Sequence, residues 1–136
     1  MSEKTFRLEI ITAGKVVFQD EATSVTAPGT MGGFQVLYDH APLISTMEIG
    51  EIKVMDKNGN KILFATSGGF VEVNENAVVV LAETAELASQ IDTGRAKASG
   101  ERASLRITSA EVGLDVERAQ QSMRRSLNRL RVASKA

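Results

Sequence analysis

The sequence predicts a chain of two parts, a β sandwich or barrel followed by an antiparallel helical hairpin. Residues 1–87 contain about eight to ten short apolar or alternating runs separated by turn residues. Residues 88–136 contain no proline and no aromatic residue, and are rich in Ala, Arg, Ser and Glu, a helix-forming composition. Charge changes at the same place: 6 basic and 12 acidic residues (net −6) are followed by 10 basic and 5 acidic residues (net +5). We therefore expect two domains, 1–87 and 88–136.

Alternating side chains predict the strands of the first part. Residues 5–11 place Phe6, Leu8 and Ile10 on one face, which is the period of a half-buried strand. Similar short runs predict further strands at 16–18, 22–27, 34–37, 51–55, 62–65, 68–73 and 77–82. The valine-rich run 77–82 is expected to be buried on both faces. About 85 residues suffice for one core.

Two hairpins are predicted from turn residues. Asn58-Gly59 separates two alternating runs, and this pair favours a type I′ turn, in which both central residues have positive φ. Residues 74–76 connect the next two strands.

Residues 28–43 are predicted to form a corner of the β domain, in which several turns surround one short strand. This stretch contains both prolines, the only histidine, the only tyrosine and three of the 11 glycines. We expect turns at 28–29, 32–33 and 39–42 around the strand 34–37. Asp39-His40 resembles an acid–base pair but lacks a nucleophile and an oxyanion site, so a structural role is expected for His40. The glycines do not form a phosphate loop, because no Gly-Lys-Ser/Thr follows them.

The second part predicts two helices. Asp115 is the expected N-cap of the second helix. Its apolar stripe is expected at Val116, Ala119, Met123, Leu127 and Leu130, spaced 3, 4, 4 and 3. In the first helix the corresponding positions are Ile91, Ala98 and Leu105, seven apart, and the turn is expected within 107–113.

The hairpin is predicted to be weakly stable by itself. Its apolar stripe is narrow, and Gly94 and Gly100 each cost about 1 kcal/mol relative to alanine inside a helix. A weakly held helical pair beside a firm β domain is a candidate moving part.

Arginines are the most informative residues of the hairpin. Two sets share the spacing 7 and 4, Arg95, Arg102 and Arg106 on the first helix and Arg118, Arg125 and Arg129 on the second. One interpretation is a pair of solvated helix faces. The other is a binding surface for phosphate or carboxylate, which guanidinium groups bind bidentately. Nucleic acid is disfavoured because the hairpin has no aromatic residue to stack on bases and the rest of the chain is acidic.

Composition excludes several kinds of site. The chain has no cysteine, which excludes disulfides, a thiol nucleophile and thiolate metal ligands, and a single histidine disfavours structural zinc. The carboxylates of the β domain show no metal-binding spacing. The sequence also shows no group of residues typical of an enzyme active site. We expect no signal peptide, because Met1–Lys4 is not followed by an apolar run, and no membrane-spanning helix, and hence a soluble cytoplasmic chain.

Taken in order, these motifs resemble the epsilon subunit of the F-type ATP synthase of bacteria and chloroplasts, called delta in mitochondria. The resemblance covers essentially the whole chain. It is carried by Pro28-Gly29, Gly33-Phe34-Gln35-Val36-Leu37, His40-Ala41-Pro42-Leu43, Ser67-Gly68-Gly69-Phe70-Val71-Glu72-Val73 and Ile91-Asp92-Thr93-Gly94-Arg95-Ala96. It implies an all-β flattened sandwich of about ten strands followed by a C-terminal antiparallel two-helix hairpin.

The resemblance also implies a function. The chain is expected to be a non-catalytic subunit of the central rotor stalk, whose β domain binds the gamma subunit and the c-ring, with residues 28–43 near the ring. The hairpin is expected to regulate ATP hydrolysis. In one state it is compact and folded against the β domain. In the other state it extends along gamma toward the alpha and beta subunits and hinders ATP hydrolysis. An acidic loop of beta would attract the basic hairpin. The expected location is peripheral, on the cytoplasmic face of the bacterial inner membrane or the stromal side of the thylakoid.

Some bacterial members of this family bind ATP at the folded hairpin, as a regulatory ligand rather than a required cofactor. Their Ile/Leu-Asp-x-x-Arg-Ala motif is matched here, and four supporting positions carry the same residue types. The site expected from the resemblance consists of Ile91, Asp92, Arg95, Ala96, Glu86, Arg102, Arg125 and Arg129. Two departures weaken the expectation: Gly94 and Gly100 loosen the first helix, and Tyr38-Asp39 replaces a common Pro-Gly. The alternative is a free-standing ATP-sensing or adaptor module that binds acidic partners through the basic hairpin.

Overall fold

The computed structural model describes residues 4–109, 113 and 115–136, which fall into two compact units, Met1–Leu87 and Ala88–Ala136. The described strands of the first unit are β1 Phe6–Thr12, β2 Lys15–Ala27, β3 Phe34–Leu37, β4 Leu43–Met47, β5 Gly50–Asp56, β6 Lys61–Thr66, β7 Gly69–Asn74, β8 Ala77–Ala82 and β9 Ala85–Leu87. The second unit contains a 3-10 turn, Ala88–Gln90, and the helices α1 Thr93–Ser109 and α2 Val116–Ala133. The predicted order, β-strands and then two helices, is confirmed.

One hydrogen-bonded sheet contains all nine strands. Its order is β4-β7-β8-β1-β2-β5-β6-β9, with β3 paired to β2. The neighbours are antiparallel except β1 and β8, which run parallel in the register Arg7↔Ala77 to Thr12↔Ala82. Buried side chains from β1 to β8 form one core, which includes Phe6, Leu8, Ile52, Phe64 and Val80. The inner face is therefore continuous along the sheet, as expected when a sheet folds over itself as a sandwich.

Two of the predicted strands, 16–18 and 22–27, are a single strand. β2 runs for 13 residues, and the polar segment 19–21 that suggested a break is the exposed middle of the strand. Register shifts at Ile10/Ile11 and between Ala22 and Ser24 mark bulges, which let so long a strand bend. The predictions also missed β4 and β9, which are short edge strands with few alternating residues.

The prediction that the last valine-rich strand is buried on both faces is wrong. Val78 and Val80 are buried, but Leu81 is 49% exposed, so β8 alternates. A short apolar run is compatible with burial on both faces but does not require it, and in β8 the buried residues alternate with more exposed ones.

The two hairpins form as predicted, but the first does not have the predicted type I′ turn. Of the pair Asn58-Gly59, Gly59 alone has positive φ (81°), and it follows a turn closed by the Gly59 N–H donating to Asp56 O at 3.1 Å. This three-residue loop contains a bulge at Gly59 and is not type I′. The type I′ geometry occurs instead at Glu75 and Asn76, with φ of 48° and 58°, between the paired residues 74 and 77.

The corner at 28–43 has the predicted turns and strand. Pro28 O accepts a hydrogen bond from the Glu48 N–H at 2.9 Å, and a Cβ on Gly50 would lie 2.5 Å from the Pro28 Cβ. Proline ring and glycine are thus packed directly together. His40 is half-buried, and its Nδ1 lies 2.6 Å from Ala41 O, a local contact within the turn.

Each helix begins at an aspartate. The Asp115 carboxylate accepts from the Arg118 N–H at 3.0 Å, which confirms the predicted N-cap of α2. Asp92 does the same for α1, accepting from the Arg95 N–H at 2.9 Å. Both side chains satisfy donors that the first helical turn leaves free. No described helix is long and apolar enough to span a membrane.

The buried residues of the two helices are mostly small, and the predicted apolar stripes are partly wrong. The buried positions are Ala96 and Ala103 on α1 and Ala119, Ser126, Asn128 and Val132 on α2. Leu105 and Leu127, which were expected to pack between the two helices, are 69% and 59% exposed. α1 extends further than expected, to Ser109, so that Ile107 is helical. Residues 110–112 of the expected turn lie outside the described residues.

Candidate functional site

A cleft lined by arginines lies between α1 and α2. Its volume is about 790 Å³, and the residues that define its charge are Arg102 and Arg106 from α1, Arg118 and Arg125 from α2, and Asp115. All four arginines are exposed. Because the cleft contains four guanidinium groups and one carboxylate among its described lining residues, it carries a positive charge.

The helical period explains this convergence. Arg102 and Arg106 are four residues apart on α1, and Arg118 and Arg125 are seven apart on α2, so each pair follows one helix face. Ala103 and Ala119 lie between them at the base of the cleft and are buried. Their small side chains let the helices approach, so the long arginine side chains rise on both sides of a narrow base.

Only part of the predicted binding set lines this cleft. Arg102 and Arg125 do, whereas Arg95 and Arg129 are not among its described lining residues. Arg106 and Arg118 line it but were not placed in the predicted site, although both belong to the 7-and-4 arginine stripes. Their spacing in the sequence was the only indication that they could share a site. Whether the two stripes face each other depends on the register between the helices, which the sequence does not determine.

The Ile-Asp-x-x-Arg-Ala motif has a structural role at the start of α1. Asp92 caps the helix through its carboxylate, and its carbonyl accepts from the Ala96 N–H at 3.0 Å. Ile91 is buried and Ala96 fully so, while Arg95 is exposed. Glu86 belongs to β9 of the first unit, where it is paired with Ala65. The motif therefore fixes where the helix begins and leaves the Arg95 side chain in solvent.

This chemistry suits an anion. Guanidinium groups bind phosphate and carboxylate oxygens with paired hydrogen bonds. The cleft is large enough for several phosphate groups, and α2 begins beside it, where the helix dipole favours negative charge. Among the described residues no group of three or more His, Asp or Glu side chains could hold a metal ion.

A second surface is an apolar row on the outer face of the sheet. The strand registers pair Phe70 with Leu81, Leu81 with Ile11, and Ile11 with Val16, so four neighbouring strands contribute. Phe70, Leu81 and Val16 are 54%, 49% and 49% exposed. Apolar side chains grouped in this way on a surface are typical of a protein-binding face.

Family models match both parts of the chain. Residues 5–88 match "ATP synthase, Delta/Epsilon chain, beta-sandwich domain", and residues 89–134 match "ATP synthase, Delta/Epsilon chain, long alpha-helix domain".

Curated relatives match over nearly their full length. The ATP synthase epsilon chain of Desulforamulus reducens is 44% identical over 130 residues, covering 96% of this chain and 98% of the relative. That of Syntrophomonas wolfei is 38% identical over 135 residues, covering 99% and 98%. That of Moorella thermoacetica is 42% identical over 129 residues, covering 95% and 96%.

Solved structures share the fold. A chain of the Euglena gracilis mitochondrial ATP synthase superposes with a TM-score of 0.78 at 19% identity, covering 98% of this chain and 82% of that one. A chain of the Tetrahymena thermophila mitochondrial ATP synthase central stalk and c-ring gives 0.58 at 14% identity, covering 99% and 98%. The two family models and the curated relatives show that the chain belongs to the family of ATP synthase epsilon chains.

Proposed function

We propose that this chain is a non-catalytic central-stalk subunit of an F-type proton-translocating ATP synthase, which couples the catalytic head to the c-ring. The observation that carries the proposal is the 44% identity to an ATP synthase epsilon chain over 96% of the sequence. The relatives named above are bacterial, which favours a peripheral position on the cytoplasmic face of the inner membrane over the chloroplast alternative. The test is copurification: tagged chain drawn from membranes should bring gamma and c subunits with it. Recovery without gamma would favour the free-standing adaptor instead.

The outer apolar row is the surface we assign to gamma. Phe70 and Leu81 lie on the neighbouring strands β7 and β8, so a flat apolar partner can cover both at once. Removing exposed aromatic and aliphatic area from water contributes about 25 cal/mol per Å², and aromatic residues are frequent binding anchors. Phe70→Gln should weaken gamma binding at least about tenfold. Leu37→Gln is the matched control, because Leu37 is equally exposed (51%) but lies on β3, outside the row. Equal effects of the two variants would contradict this assignment.

Regulation of ATP hydrolysis is assigned to the hairpin. The support is its separate compact unit, 88–136, its positive charge and its helix contact through small residues, which buries little apolar area. Such a contact permits a second conformation in which the basic helices meet an acidic surface of the alpha and beta subunits. A chain ending at residue 87 should still assemble, and the complex should hydrolyse ATP faster. Unchanged hydrolysis under all conditions would remove the inhibitory role and leave the coupling role.

ATP is the regulatory ligand we propose for the hairpin, with Glu86, Ile91, Asp92, Arg95, Ala96, Arg102, Arg125 and Arg129 as the binding set carried over from the resemblance. The observation that favours it is the arginine cleft, which contains Arg102 and Arg125. Calorimetry of the isolated chain with ATP, with and without magnesium, should show binding that Arg125→Ala abolishes. Arg124→Ala is the matched control, because Arg124 is exposed on α2 outside the cleft. Absence of heat at millimolar ATP would contradict the proposal.

A further inference from the structure

The tip of the β5–β6 hairpin contains a chemically labile pair, Asn58-Gly59. Both residues are exposed. A Cβ built on Gly59 meets nothing within 4 Å, so no other part of the described chain packs against this side of the loop. When glycine follows asparagine, the glycine nitrogen can reach the carbon of the side-chain amide, since no Cβ obstructs it.

The four other asparagines are unlike Asn58. They precede Lys, Glu, Ala and Arg rather than glycine. Three of them have engaged side-chain amides: Asn60 donates to Asp56 Oδ2 at 3.2 Å, Asn76 donates to Thr5 O at 2.9 Å, and Asn128 accepts from Arg131 at 2.9 Å. Asn74 is exposed but is followed by a glutamate side chain. In the described part of the chain, Asn58 alone therefore combines a following glycine with an exposed side chain.

Asp56 restrains the same loop. Its Oδ1 accepts from the Asn58 N–H and from the Asn60 N–H, each at 2.8 Å, and its carbonyl accepts from the Gly59 N–H at 3.1 Å. The last bond occupies the nucleophile of the reaction, because the Gly59 N–H must leave Asp56 O before its nitrogen can turn toward the Asn58 side chain. Three hydrogen bonds to Asp56 therefore restrain the loop that contains Asn58 and Gly59.

We propose that Asn58 is a deamidation site whose reaction is gated by the Asp56-bonded loop. When the loop opens, Gly59 N attacks Cγ of Asn58, the bond from Cγ to the side-chain nitrogen breaks, and ammonia leaves with the proton from Gly59. The product is a five-membered succinimide. One water opens it to aspartate or isoaspartate, so the net change is gain of water and loss of ammonia. A new carboxylate then lies beside Asp56, and isoaspartate adds one methylene to the backbone, which displaces Gly59 N from Asp56 O.

The reaction is measured by mass spectrometry of peptides after long incubation of the full chain in mildly alkaline buffer. Only the peptide with Asn58 should gain about 1 Da. The native chain should react at least about tenfold more slowly than the same chain in urea, since the loop must first open. The comparison of the native and urea rates uses the unmodified chain, so it does not depend on whether a variant folds. Equal native and urea rates, or gain at other asparagines as fast as at Asn58, would overturn the proposal.

Two substitutions at one position test the gate. Asp56→Ala removes the acceptor of two backbone N–H groups and should raise the native rate several-fold toward the urea value. Asp56→Asn keeps an oxygen acceptor at the same place and should raise the rate less than Asp56→Ala does. Circular dichroism confirms that each variant is folded before incubation. A rate for Asp56→Ala equal to that of the unmodified chain would contradict the gating role.

Discussion

Gly100 of α1 and Ser126 of α2 meet so closely that a Cβ on Gly100 would lie 3.2 Å from the Ser126 Cβ. Ordinary contacts between such carbons are longer, so the helices reach this separation because position 100 has no side chain. Ala96 and Ala103, four residues before and three after, are buried on the same face. Gly100, which the sequence presents only as a weak point in a helix, thus lies where the two helices approach closely.

Gly100→Leu should therefore loosen the hairpin. A bulky side chain at this contact costs about 1–3 kcal/mol through overpacking, and faster hydrogen exchange at α2 amides would report it. Gly94→Leu is the control, because a Cβ at Gly94 meets only Asp92 Oδ1 at 3.6 Å, an ordinary contact. That variant should keep or slow the exchange. If both substitutions act alike, close helix approach is not the reason for glycine at position 100.

Gly69 should not tolerate alanine. Its φ is +141°, and an added Cβ would overlap the carbonyl oxygen of Leu81 and lie 2.8 Å from the Ala82 Cα, both backbone atoms of β8. Gly69→Ala should lower the free energy of unfolding by about 2–4 kcal/mol in urea denaturation. Gly33→Ala, where the nearest atom is Ala27 O at 3.7 Å, should change it by less than about 1 kcal/mol. A small loss at Gly69 would mean that β7 and β8 can separate there without cost.

Glu75 offers a stabilising substitution. It takes a φ of 48° in the type I′ turn, a conformation that costs non-glycine residues free energy and that asparagine tolerates better. Glu75→Asn should raise the free energy of unfolding by about 0.5–1 kcal/mol, seen as a higher melting temperature. Glu72→Asn, at an exposed position of β7 with ordinary φ, should give no gain. A gain at both positions would point to removed negative charge rather than turn geometry.

Asp56 makes stability depend on acid pH. The Asn60 backbone N–H, followed by the Asn60 side chain and the Asn58 N–H, holds the pKa of the Asp56 carboxyl below its ordinary value. A lowered pKa favours the folded state above the ordinary value, and this contribution is lost as pH falls through the lowered pKa. The stability difference between the chain and Asp56→Asn should thus be present at neutral pH and shrink toward about pH 3. A difference independent of pH would assign the effect of the substitution to something other than ionisation.

The sequence predicts the strands well where side chains alternate. Phe6, Leu8 and Ile10 are buried as their period requires. It fails where tertiary pairing overrides local character: the polar middle of β2 remains a strand because β1 pairs with it, through Leu8↔Asp20 and Glu9↔Gln19. It also fails for the turn at Asn58, where the Asp56 carboxylate selects a bulged loop over the type I′ turn that Asn-Gly favours.

For the candidate site, spacing predicts which residues share a helix face but not which faces meet. Arg102 and Arg125 were expected in the binding set and line the cleft. Arg106 and Arg118 line it as well, because small residues such as Ala103 and Ala119 bring those faces together. The prediction for Leu105 and Leu127 fails for the same reason. Their size and apolarity favour burial between the helices, whereas close approach of the helices requires alanine, serine and glycine.

The parallel pairing of β1 with β8 has a consequence for folding. It joins residues about 70 positions apart, as in Arg7↔Ala77, and closing a loop of that length costs about 4 kcal/mol of chain entropy. Such a pairing raises the contact order, which slows folding. During synthesis β1 can pair only with β2 at first, because its pairing with β8 is complete only after residue 82 has been made. The pairing of β1 with β8 at the centre of the sheet therefore forms late, while the hairpin that follows needs only local contacts and can form in far less time.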